Sequence, residues 1–240
     1  MKENSLTRIG IDEAGRGPLI GDMIVSGVLV SPDMLEKLKN RSLKESKRLS
    51  PKKRYWFYKQ ALREGVVVVA VYVHPWRMDR ENLNDVEEEC IGWILRILYT
   101  LIDPDVGGVH IYVDEIKGRA SRIRDIAETC FKGFPVEFVM EPGADARYLP
   151  VALASIFAKV MRDLDLVKLR KHVGNFGSGY PADPLTKKWL KEMYTPGSDP
   201  PLYVRRSWRV LKNIAPTWYR EKRRGGKAPK HKSLLDYARR

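Results

Sequence analysis

Cysteine is nearly absent from this chain. Its 240 residues hold two, Cys90 and Cys130, and neither has a His or Cys at ligand spacing. That excludes a disulfide-stapled scaffold and a thiolate zinc site, and leaves two small thiols inside helix-like segments. Staples are not needed, because a chain of this length buries a core without them. Long apolar runs are missing as well: nothing approaches the roughly 20 residues of a membrane helix, so no membrane contact is expected. The opening MKENSLTRIG lacks the apolar segment of a signal peptide, and a cytoplasmic location is expected. With 43% hydrophobic and 31% charged residues the chain is neither fibrous nor wholly disordered.

Net negative charge is the remaining absence, and its opposite is the first positive signal. Lys and Arg number 44 against 30 Asp and Glu, a formal +14. Proteins of this balance usually meet polyanions, nucleic acid above all. Half of the excess lies in residues 219–240, where nine Lys and Arg face two acids. That stretch is expected to be a basic, flexible tail.

Along the chain, RIGIDE (8–13) and MIVSGVLV (23–30) predict two strands joined by a Gly/Pro-rich turn. Ser50-Pro51 starts a helix that Gly65 stops, and the β-branched run 66–73 predicts a buried strand. Asn84 is the expected cap of a helix carrying Val86, Cys90, Ile94, Ile97 and Leu101 on one face. Strands are expected over 110–113 and 136–140, with a helix over 119–131 between them. A further helix is expected from Ala146 to about Lys171. GNFGSGYPADP (174–184) is too rich in Gly and Pro for either element, and short helices are expected near 185–194 and 208–224. A strand pair followed by alternating strands and helices predicts an α/β protein, a mixed sheet flanked by helices. The expected division is a sheet domain over 1–184, a small helical lobe over 185–218 and the tail.

Three strands deliver acids just where the backbone leaves the sheet: Asp12 and Glu13, then Asp114, then Asp145 in the turn EPGAD. In α/β sheets ligands usually bind at that edge. Carboxylates gathered there repel one another unless a cation sits between them, and oxygen-only ligands suit Mg²⁺ or Mn²⁺. A basic protein with such a cluster is a candidate for two-metal phosphodiester chemistry. Each acid alone is also what a turn or helix cap carries, Asp145 in particular, and spacing alone does not bring them together.

The motifs resemble those of type 2 ribonucleases H (the ribonuclease HII family), in its archaeal branch. The resemblance rests on Ile11-Asp12-Glu13-Ala14-Gly15-Arg16-Gly17-Pro18, Glu45-Ser46-Lys47-Arg48-Leu49, Val113-Asp114 and Ala144-Asp145-Ala146-Arg147-Tyr148. It continues through Ala154–Lys159, Gly177–Pro181 and Arg206-Ser207-Trp208, covering roughly residues 8–215. It implies an RNase H-like fold, with Asp12, Glu13, Asp114 and Asp145 as catalytic, metal-binding acids. It also implies hydrolysis of the RNA strand of RNA–DNA hybrids, and incision 5′ of ribonucleotides embedded in duplex DNA, for primer removal and ribonucleotide excision. Products would be 3′-hydroxyl and 5′-phosphate ends. By the same resemblance the 2′-hydroxyl is read by Gly15, Arg16 and Gly17 together with Tyr180, and Ser46, Lys47 and Lys159 are candidate phosphate contacts. The bland alternatives are a tight turn for the glycines, a core-plugging aromatic for Tyr180 and solvated lysines. Departures from the family pattern are Glu45 for Asp, Gly143 for Lys, a shifted Pro150, and Ala152 for a hydroxyl residue.

Two other functions fit parts of the pattern: an RNase H-fold DNA nuclease of resolvase or transposase type, and a non-catalytic hybrid-binding protein. The four acids favour catalysis over binding alone, since uncompensated carboxylates repel phosphate; the Gly-Arg-Gly and Gly-Tyr-Pro segments favour ribose sensing. A monomer is expected. The terminal HKSLLDYARR resembles, in degenerate form, the peptides by which DNA-processing enzymes dock on a sliding clamp, with Leu234 and Tyr237 as anchors. A basic end that only holds DNA is the alternative.

Overall fold

The computed structural model describes residues 6–39 and 49–222. Five strands form one sheet in the order β3-β2-β1-β4-β5. They are β1 (Thr7–Ala14), β2 (Met23–Val30), β3 (Val67–Val73), β4 (Val109–Asp114) and β5 (Val136–Glu141). β2 runs antiparallel to β1 and β3, while β1, β4 and β5 are parallel, so the sheet is mixed as the sequence predicts. β1 lies at its centre, with Ile11 opposite Gly27 on one side and Val113 on the other.

Nine helices are described: α1 (Pro32–Lys39), α2 (Pro51–Arg63), α3 (Pro75–Met78), α4 (Leu83–Tyr99), α5 (Ala120–Cys130), α6 (Ala144–Arg147), α7 (Leu149–Val173), α8 (Pro184–Met193) and α9 (Leu211–Ile214). α4 and α5 cover one face of the sheet, packing Val86, Ile94, Leu98 and Ile123 on Ile9, Ile11 and Ile111. α7 crosses the other face, over Val28 and Val30, with α1 and α2 outside it. Glycines in the two central strands let both helix layers approach closely. A Cβ on Gly10 would stand 2.0 Å from the carbonyl carbon of Pro150 at the start of α7, and one on Gly27 would stand 2.2 Å from Cγ2 of Ile94.

Several expectations shift. β3 is half-buried rather than buried, because it forms the sheet edge. The cap of α4 is Asn82, whose side chain accepts from the Asn84 amide, and the buried stripe includes Glu87, Ile91 and Leu98. Ile97 falls on its exposed side, and Leu101 lies past its end, also exposed. The helix expected from Ala146 is broken at Tyr148, which adopts an extended backbone, so Pro150 sits harmlessly in the first turn of α7. Of the helix expected at 208–224, only α9 and a 3-10 turn over Pro216–Trp218 form among the described residues. Pro216 ends any longer run. α1 was not apparent from the sequence.

A second core joins the β1–β2 connection to the C-terminal segments. Leu19 and Ile20 pack with Leu166, Phe176, Trp189 and Trp218. Ile20 bridges Val204, the Arg205 amide donates to the Leu19 carbonyl at 2.9 Å, and the Leu19 amide donates to the Gly179 carbonyl at 2.6 Å.

The two glycines make a testable contrast. Gly10→Ala meets backbone, which has nowhere to go, and should cost more than about 4 kcal/mol or abolish soluble expression. Gly27→Ala meets a side-chain methyl and should cost about 1–3 kcal/mol. Urea denaturation of both variants measures the difference; equal costs would mean that α7 is free to shift over β1.

Candidate active site

Parallel pairing of β1 with β4 is what brings the first acids together. Ile11 pairs with Val113, so Asp12 and Asp114 are the next residues along two adjacent strands. Asp12 is buried, and its carboxyl lies well above the usual aspartate range. Burial contributes most, then repulsion from Glu13; a hydrogen bond with Ser155 pulls the other way, and Asp114 adds repulsion. The Glu13 amide donates to Asp12 Oδ1 at 2.8 Å. The Glu13 carboxyl is pushed up to about 7, by burial first and then by the charge of Glu87; Arg16 opposes this and Asp114 adds to it.

Asp145 enters through the backbone. The Ala144 amide donates to Asp114 Oδ1 at 2.9 Å, tying the end of β4 to the first turn of α6, where Asp145 is buried. Gly143, at φ +68, makes the turn that starts α6. Asp145 also lines a pocket of about 400 Å³ with Arg8, Tyr112 and Tyr148.

Among the described residues, no three Asp, Glu, His or Cys are arranged to hold a metal ion by themselves. The donor set nevertheless fits a hard cation. The charge of Asp114 disfavours ionisation of both Asp12 and Glu13, and Mg²⁺ or Mn²⁺ normally takes one or two carboxylates and completes its shell with water and substrate phosphate.

α7 supplies the neighbours of Asp12. Ser155 is fully buried, and Lys159 Nζ donates to its hydroxyl at 2.7 Å. Lys159, a candidate phosphate contact, is thereby linked to Asp12 through one hydroxyl. Ser46 and Lys47, with Glu45, lie outside the described residues, as do Leu234 and Tyr237.

Beside the acids stands the Gly15–Gly17 loop. Gly15 has φ +90, and a Cβ there would lie 2.7 Å from Cδ and Nε of Arg162 and 2.8 Å from the Asp22 carbonyl. Only glycine fits both the conformation and the space. Arg16 turns away from the loop to bond Glu87 and Asn84 of α4. Its carbonyl accepts from Arg205 Nη1 at 3.1 Å, and the Gly17 carbonyl accepts from Trp208 Nε1 at 3.0 Å. Tyr180 comes within 3.6 Å of where a Gly17 Cβ would be, 42% exposed. Its ring stacks on the Arg162 guanidinium at 5.4 Å. The glycine loop and the Gly-Tyr-Pro loop, about 160 residues apart, therefore form one edge.

Four residues of this site escaped sequence reasoning. Glu87 is 1% exposed, although it lies within an apolar helix stripe where its charge was the available signal. Arg162 and Arg205 are buried arginines under the loop; burial and then the charge of Arg162 lower Arg205 to about 9. Asp79 accepts from the Arg206 and Ser207 amides at 2.9 and 2.8 Å, fixing the segment that carries Trp208. Nothing in its local sequence marks Asp79.

Comparison with known proteins places the fold that carries this arrangement. The family model for Ribonuclease HII matches residues 9–211. A Ribonuclease HII of Hyperthermus butylicus is 41% identical over 236 residues, covering 95% of this chain and 93% of its own length. The ribonuclease H2 crystal structure from Pyrococcus horikoshii OT3 superposes with a TM-score of 0.75 at 33% identity, covering 89% of this chain and 99% of that one. A structure of the PCNA:RNase HII complex from Archaeoglobus fulgidus gives 0.72 at 32% identity, covering 86% and 96%. Acids on adjacent strand ends beside a glycine loop and a tyrosine thus sit on a scaffold shared along nearly its whole length, and the chain belongs to the ribonuclease HII family of endoribonucleases.

Proposed function

We propose that this protein hydrolyses the RNA strand of RNA–DNA hybrids and incises 5′ of ribonucleotides embedded in duplex DNA, using Mg²⁺ or Mn²⁺ and leaving 3′-hydroxyl and 5′-phosphate ends. The observation that carries the reading is the juxtaposition of the carboxylates at the ends of β1 and β4 with the Gly15–Gly17 and Tyr180 edge. It favours this chemistry over DNA cleavage or passive binding, because the edge offers a place for one sugar next to a place for its phosphate.

When bound, divalent ions supply a lowered pKa for the attacking water and charge stabilisation of the departing 3′-oxygen. Asp12, Glu13, Asp114 and Asp145 would hold them. Ser155 orients the Asp12 carboxylate through its hydroxyl, and Lys159 holds positive charge next to that bond, where phosphate charge gathers. Glu87 and Asn84 occupy the Arg16 side chain, leaving the glycine backbone on either side to meet a 2′-hydroxyl. Arg162 supports the Tyr180 ring from beneath, so that its exposed side can pack on the sugar. The molecule would act as a monomer, with 185–218 as a helical lobe.

A further proposed partner is a sliding clamp, docked through Leu234 and Tyr237 in a basic tail over 219–240. A relative of this chain has been solved as a PCNA:RNase HII complex. Among the described residues no helix is long and apolar enough to cross a membrane.

Three outcomes test these assignments. Asp114→Asn keeps an acceptor for the Ala144 amide but removes a charge, and cleavage of a duplex with one ribonucleotide should fall about a thousandfold, or ~4 kcal/mol. In the metal-free protein Glu13 stays protonated up to about 7 against an ordinary 4.5. The unfolded chain ionises first, so stability should fall as pH rises between those values and then level off. Mg²⁺ should therefore raise the melting temperature more at pH 8 than at pH 5.5, and less in Asp114→Asn. Unchanged melting and near-normal cleavage in that variant would remove Asp114 from the site.

Tyr180→Ala should lower cleavage at a single embedded ribonucleotide more than on a uniform hybrid, where neighbouring riboses offer other registers. Equal losses on both substrates would point to a general positioning role.

For the tail, Leu234→Ala with Tyr237→Ala leaves every charge in place. Clamp binding should disappear in that variant while salt-dependent DNA affinity survives. Absence of clamp binding by the unaltered protein at low salt would leave the tail purely electrostatic.

A further inference from the structure

Helix α2 shows solvent a face that neither the acids nor the sugar edge uses. Its thirteen residues, PKKRYWFYKQALR, carry five cations and no acid. The inner side rests on α7: Tyr58 packs against Phe157 with ring centroids 5.0 Å apart, and Arg54 Nη2 reaches Asp163 at 2.8 Å. Among the described residues, Arg54 is the one cation of α2 paired with a carboxylate.

The outer side is ordered by helical spacing. Lys52, Trp56, Lys59 and Arg63 stand at i, i+4, i+7 and i+11, all exposed, and so form one stripe about 16 Å long. Trp56 is 50% exposed, edge-on to Phe57 at 4.9 Å, and Tyr55 flanks the stripe beneath Lys59 at 5.4 Å. A solvated surface helix accounts for the lysines but not for an indole held out between them. Cations interleaved with aromatics are what a phosphate backbone requires, and the stripe matches about five base-pair steps.

Its position connects it to the site. Phe157 and Asp163, two of the α7 residues that α2 rests on, flank in sequence Lys159, whose ammonium bonds the Ser155 hydroxyl that in turn bonds Asp12. α2 is thus the next helix outward on the same side of the sheet as Asp12.

We propose that the Lys52–Trp56–Lys59–Arg63 face of α2 binds the sugar-phosphate backbone of the duplex flanking the cleavage site, independently of base sequence and of ribose content. This extends the substrate surface beyond the scissile nucleotide, and it rests on the duplex substrate proposed above. Phosphate contacts of this kind hold the duplex in register and carry no sequence information.

The test uses the full chain, with folding of each variant checked by circular dichroism. Affinity is measured without divalent metal over a range of salt, on an all-DNA duplex and on the same duplex with one ribonucleotide. Lys52→Gln with Lys59→Gln should flatten the slope of log affinity against log salt by about 2 and weaken binding at least about tenfold at low salt, equally on both duplexes. Trp56→Ala should weaken binding with the slope unchanged. Arg124→Gln with Lys132→Gln, on the opposite side of the sheet, removes the same charge and should leave the slope alone. Equal losses from the two double variants would reduce α2 to a share of a diffuse field and overturn the proposal. So would unaltered affinity in the α2 variants, the result expected if that face meets a protein instead. If the unaltered protein binds in the α2-dependent way yet fails to cut the ribonucleotide-containing duplex with Mg²⁺, the catalytic reading falls and the surface stands.

Discussion

The contact of α7 with β1 at Gly10 is the constraint on which the site depends. With no side chain at Gly10, the Pro150 backbone lies against the strand, and α7 is held over β1 in one register. From that contact the helix presents Ser155, Lys159, Arg162 and Leu166 at i, i+4, i+7 and i+11, one continuous face. Ser155 meets Asp12, Arg162 lies beneath Gly15, and Leu166 packs beside Gly21. A single close approach in the middle of the sheet therefore positions the carboxylate cluster and the glycine–tyrosine edge together. Pockets of this kind need partners fixed to well under an ångström, and a packed strand–helix contact does that better than loops alone.

Electrostatics then explains why the cluster is tolerated. Asp12 is buried and Glu13 half-buried at successive positions of β1, each raised by the other carboxylates nearby, a standing cost that a bound cation and the phosphate chemistry would turn to use. The protein does not neutralise them outright. Arg16 is engaged with Glu87, and Lys159 with Ser155, so the nearest positive charges are held at one remove. On the other side of the glycine loop the imbalance reverses, with Arg162 and Arg205 buried near one another and each depressed by desolvation. The two guanidiniums settle on aromatic rings, Tyr180 and Trp208, and Arg205 also bonds backbone carbonyls. The result is an acidic floor beside a cationic one, a polarity suited to a group with a sugar at one end and a phosphate at the other.

The C-terminal segments belong to this site. Arg205 and Trp208 reach carbonyls of the glycine loop from about 190 residues away, and Asp79 holds their segment in place through two amides and a hydroxyl. Residues 203–205 are pinned to residues 19–21 by two backbone hydrogen bonds, which form the Ile20–Val204 bridge. Loop geometry that would otherwise be soft is thus braced from both sides.

Much of this was legible in the chain alone. Alternation and β-branched runs mark the strands, Pro and Gly mark where helices begin and loops bend, and acids at the ends of apolar strands mark the edge where chemistry gathers. Those are local signals, written in neighbouring residues. Burial of charge is not local. Glu87 and Arg162 sit in helices where a charged residue ordinarily faces water, and Arg205 in an irregular segment. Only the folded chain reveals that Arg16, Tyr180 and the loop carbonyls lie across from them. The edge position of β3, set by which strands pair, and the break at Tyr148 likewise emerge only in the folded chain. Propensity determines where an element can form, while its neighbours in space determine what it must bury.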